Sequence, residues 1–107
     1  HPDHIAAGEA TLSAVFPTSR DRLTFPELLT EGLNPHKVKE LLIGDRDHAN
    51  KWIDVSDHMD TAVESLSKHV SQISGKDVGA HLRRSRAEIG QTIDVEFAES
   101  YRSYLFS

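Results

Sequence analysis

Cysteine is missing from the sequence altogether. That removes disulfides, thiolate zinc sites and cysteine nucleophiles together. It also suits a reducing compartment, so the cytoplasm is the expected location. Long apolar runs are missing too. No stretch approaches the roughly 20 residues of a membrane-spanning helix, and no membrane partner is expected. The start, His1-Pro2-Asp3-His4, lacks the basic-then-apolar pattern of a signal peptide. Positive charge is in the minority. Lys and Arg number 12 against 17 Asp and Glu, giving a net charge of -5 with histidine neutral. The two signs are interspersed, nothing forms a basic stripe, and no nucleic-acid partner is expected. There is no internal repeat and no low-complexity segment, which excludes repeat arrays and tail-like linkers.

What remains is a mixture able to build a core. Hydrophobic residues make up 37% and charged residues 27% of 107 residues, enough for one small domain of marginal stability.

Local patterns divide the chain into elements. Asp3 is a fair helix N-cap, and Pro2 holds His1 extended. From Ile5 a helical pattern runs through Gly8, Leu12 and Val15/Phe16, helped by Ala6, Ala10 and Ala14, until Pro17 limits it. Thr18 to His36 reads as loop, with one or two helical turns around Leu23, Phe25, Leu28 and Leu29. Val38 to Ile43 is a strand candidate. Its nearly continuous apolar run suits burial on both faces, as in a parallel sheet. Trp52 to Val55 is a second strand candidate. A helix capped by Ser56 or Asp57 follows, with Met59, Ala62, Val63, Leu66, Val70 and Ile73 on one face and Gly75 as its stop. Asp77 to Ile89 is weakly helical, and a last helical segment is expected through Ile93, Phe97, Tyr101 and Leu105.

Two short strands make a poor sheet, whereas strands alternating with helices belong to a larger one. The expectation is therefore an α/β fragment whose missing strands come from residues before His1 or from a second chain.

The chemistry concentrates at the start. His1 and His4 have a His-x-x-His spacing with Asp3 between them. Imidazole is a good zinc ligand, and a neighbouring carboxylate can fix its tautomer. On spacing alone the pair also reads as ordinary surface histidines.

His1-Pro2-Asp3-His4 followed by Ile5-Ala6-Ala7-Gly8 resembles the second signature of the LmbE/PIG-L family of N-acetylglucosaminyl deacetylases. Further segments resemble the same family in the same order. They are Phe25-Pro26-Glu27-Leu28-Leu29, Gly32-Leu33-Asn34-Pro35-His36-Lys37-Val38, Ile53-Asp54-Val55-Ser56 and His69-Val70-Ser71-Gln72. The likeness fades after about Gly90. It implies that residues 1–107 are the C-terminal portion of one deacetylase domain, a Rossmann-like three-layer α/β fold with few strands of its own here and its N-terminal half absent. It implies a divalent metal, usually zinc, with His4 as one ligand. It assigns His1 to stabilising the oxyanion or protonating the leaving amine, and Asp3 to orienting the His1 imidazole. The implied reaction is hydrolysis of the N-acetyl amide of a small-molecule amino sugar or related conjugate. The family's upstream Ala-His-Pro-Asp-Asp-Glu motif, source of its two other ligands and its general base, does not occur in these residues. The chain alone is thus expected to be inactive unless the N-terminal half of the same protein, or a second copy, completes the site. The alternative is a non-catalytic α/β interaction module with incidental histidines.

Other residues invite plainer readings. His36, His48 and His58 lie in polar stretches and are expected in solvent. His69 is expected to be structural, and Ser71 and Gln72 carry no catalytic assignment. Arg83, Arg84 and Arg86 read as a solvated helix face, and Trp52 and Tyr101 as core.

Overall fold

The computed structural model describes residues 1–107 as five α-helices and a three-stranded antiparallel sheet. The chain divides into two compact units, His1–Leu41 with Tyr104–Ser107, and Leu42–Ser103.

The first unit begins with α1, Pro2–Val15. The helix starts earlier than the sequence suggests. His1, not Asp3, is the N-cap, and Pro2 occupies the first turn, where its missing N–H costs nothing and its fixed φ is already helical. Phe16 ends the helix in an extended conformation, its N–H donating to the Leu12 carbonyl at 3.1 Å. Pro17 follows and cannot donate to the next turn. The Arg20 guanidinium lies 5.3 Å above the Phe16 ring. Asp21 then closes a tight turn, accepting from the Leu23 N–H and the Thr24 hydroxyl, both at 2.8 Å. Pro26 opens α2, Pro26–Thr30. The Leu41 side chain is buried in this unit, while none of α1 is.

The remaining helices and most of the sheet belong to the second unit, whereas Glu40, Leu41, Tyr104 and Leu105 of its strands are counted with the first. Strand β1 is Glu40–Gly44, β2 is Lys51–Asp54 and β3 is Ala98–Leu105, in the spatial order β1-β3-β2. Lys51 faces Tyr101 and Asp54 faces Ala98 in an antiparallel register. On the other side of β3, the Asp45 N–H donates to the Ser100 carbonyl at 3.4 Å. Two expectations are corrected here. The C-terminal segment is a strand rather than a helix, and β1 lies against an antiparallel neighbour rather than in a parallel sheet. The sheet's third strand comes from this chain itself.

The long helix expected over Met59 to Ile73 is also divided. A 3-10 turn, Ser56–His58, leads into α3, Met59–Ser67, and α4, Val70–Ile73, follows after a break at Lys68 and His69. The Ser67 hydroxyl donates to the Glu64 carbonyl at 2.6 Å, a local bond that competes with the helical ladder. Gly75 takes a positive φ of 75° where the sequence places a stop. Asp77 caps α5, Val78–Gly90, by accepting from the Ala80 N–H at 3.0 Å. Helices α3 and α5 pack together, and Met59, Ile89 and Ala98 are the buried apolar side chains of this unit. No helix is long and apolar enough to cross a membrane.

Candidate functional site

The His1-Pro2-Asp3-His4 cluster forms the entry to α1. The His1 carbonyl accepts from the N–H groups of His4 and Ile5 at 3.1 and 3.2 Å, which begins the helical ladder. Helical geometry then brings the side chains of His1 and His4 to one end of the helix, because residues three apart are neighbours. Their ring centroids lie 5.9 Å apart, with an interplanar angle of 52°. Both rings are exposed, and the His4 imidazole has no hydrogen bond or ion pair of its own.

His1 is used as a cap. Its Nδ1 accepts from the Asp3 backbone N–H at 3.1 Å, which requires an unprotonated Nδ1 and puts the neutral ring's proton on Nε2. The Asp3 carboxylate stands 3.8 Å from the same Nδ1, too far for a hydrogen bond. A proton on Nδ1 would exclude the backbone donor and favour the carboxylate instead. Asp3 therefore offers His1 one partner for each protonation state.

A catalytic zinc takes about three protein ligands. No group of three or more His, Asp or Glu side chains is arranged to hold a metal ion. His4 fits as a single free donor, and the chain's own residues do not close a metal site around it.

The remaining histidines and arginines sort as follows. His36, His48, His58 and His69 are exposed. His69 occupies the break before α4, where its carbonyl accepts from the Gln72 N–H at 3.0 Å. The arginines of α5 depart from a simple solvated face. Arg83 pairs with Asp60 of α3 at 2.5 Å, and Arg86 with Glu99 of β3 at 3.4 Å, while Arg84 is exposed. Trp52 is 36% exposed rather than core.

Sequence reasoning missed a polar cluster on the sheet. The Tyr101 hydroxyl donates to Glu99, which also accepts from Arg86. The Glu99 hydrogen bond, then partial burial and the Glu99 charge, push the Tyr101 hydroxyl up to about 12. Arg46 pairs with Glu88 at 2.6 Å nearby. The alternation of Glu99, Tyr101 and Ser103 along one strand face was the available signal.

Two cavities are lined without His1, Asp3 or His4. One, of about 370 Å³, sits in the first unit beside α2. The other, of about 290 Å³, borders the Arg86–Glu99–Tyr101 cluster. Comparison with protein-family models and with curated protein sequences gives no match.

Proposed function

We propose that the chain is the C-terminal part of a Rossmann-like, metal-dependent de-N-acetylase of the LmbE/PIG-L kind, acting on the N-acetyl amide of an amino sugar or related conjugate. The observation that carries this reading is the meeting of His1, Asp3 and His4 in the first turn of α1, with both imidazoles open to solvent. The free edge of β1 supports it as well. Its Leu41-Leu42-Ile43 run lies at the border of the sheet, where further strands of a larger sheet would add.

In this reading His4 is one ligand of a zinc or similar divalent ion, with the other ligands supplied from outside these residues. Such an ion polarises an amide carbonyl and lowers the pKa of bound water to about 7. The step assigned to this chain is proton delivery. As water adds to the acetyl carbon and the C–N bond breaks, acetate leaves and the nitrogen needs a proton. The His1 imidazolium supplies it from Nε2. The Asp3 carboxylate, 3.8 Å from Nδ1, stands beside that imidazolium as its counter-charge, and when the ring is neutral Nδ1 again accepts from the Asp3 N–H.

The test is amine release from N-acetylglucosamine conjugates by the complete polypeptide that contains these residues, before chelation, after it and with zinc restored. Zinc-dependent release, together with an Ala-His-Pro-Asp-Asp-Glu segment ahead of His1, is the expected result. Absence of release under all three conditions refutes the reading. The interaction-module alternative draws on a separate observation, the exposed apolar side chains Ile5 and Leu12 on an α1 with no buried residue, continued by exposed Phe16 at its C-cap. It predicts stable association with no amine release.

A further inference from the structure

We draw no further inference here: the strongest candidate, the exposed apolar face of α1 formed by Ile5 and Leu12 and continued by Phe16 at its C-cap, has nothing in the structure to show what covers it.

Discussion

Replacing Gly90 by alanine should destabilise the protein although it improves helix propensity. Gly90 is the last residue of α5, buried and right-handed helical. Propensity alone favours alanine by up to about 1 kcal/mol. Yet a Cβ at this position would meet the Val95 carbonyl oxygen at 2.5 Å and the Glu96 carbonyl oxygen at 3.0 Å. Ordinary carbon–oxygen contacts begin near about 3.3 Å, so the returning chain must retreat by roughly 0.8 Å. Both atoms are backbone, and the Val95 N–H is tied to the Gly90 carbonyl at 3.0 Å. No side-chain rotation relieves the clash. Overpacking of this kind costs about 1–3 kcal/mol, and a contact of 2.5 Å to backbone places it towards the upper end, which leaves a net loss of up to about 2 kcal/mol after the propensity gain. Gly8→Ala is the internal control. A Cβ there meets nothing within 4 Å, so the same chemical change in the middle of α1 should stabilise by about 0.5–1 kcal/mol. Urea unfolding followed by far-ultraviolet circular dichroism should give opposite signs for the two variants. Hydrogen exchange should locate the Gly90→Ala loss in α5 and β3. A Gly90→Ala protein as stable as the parent, or more so, would refute the close-approach argument.

Three further outcomes are expected. In the complete enzyme, His4→Ala should lose metal, whereas His1→Ala should keep it and lose about 10²–10⁴-fold in kcat; metal analysis beside steady-state kinetics checks this, and the reverse pattern would exchange the two roles. Tyr101 should ionise late, with a tyrosinate absorbance step near 12 that Glu99→Gln moves down towards the ordinary 10.0. Because its folded value is raised, the associated stability is complete below 10.0 and disappears as pH rises through about 12. Asp54 moves in the opposite direction. Its carboxyl is held below the ordinary 3.8 by the Ser56 hydroxyl and then the Ser56 N–H, so that stabilisation is present above 3.8 and fades as pH falls through the lowered folded value. Protection of the Ser56 amide, its exchange rate relative to the unstructured rate at the same pH, should fall as Asp54 is protonated, and Asp54→Ala should remove that protection above the lowered value.

Legibility from sequence followed locality. Helix α1, both early strands and α5 rest on neighbouring residues, and their positions were readable within a few residues. The histidine cluster was readable because its members fall within one helical turn. The C-terminal strand was misread for a definite reason. Ile93, Phe97, Tyr101 and Leu105 repeat every fourth residue, and four is both one helical turn and two strand periods. Pairing with Lys51–Asp54 decides between them, and that pairing is nonlocal. The break at Lys68 and His69 escaped notice because the apolar spacing continues through it, while the Ser67 hydroxyl turns to its own backbone. The arginine pairs were invisible for the same reason as the sheet. Arg86 meets a glutamate 13 positions away, Arg83 an aspartate 23 away and Arg46 a glutamate 42 away.

The strand order sets an assembly sequence. Strands β1 and β2 are joined by the short Asp45–Asn50 connection, yet β3 lies between them. The hairpin that would be fastest to close is never made. Each early strand must wait until three helices have been laid down and Ala98–Leu105 arrives to pair with both. Closing loops of that length carries an entropic cost before any ladder bond repays it, and contacts so distant in sequence slow folding. On a ribosome, the apolar Leu41-Leu42-Ile43 segment would therefore emerge well ahead of its partner, and the side of β1 that meets β3 would stay unpaired until Ala98–Leu105 is synthesised, which makes that side a place for a chaperone to act.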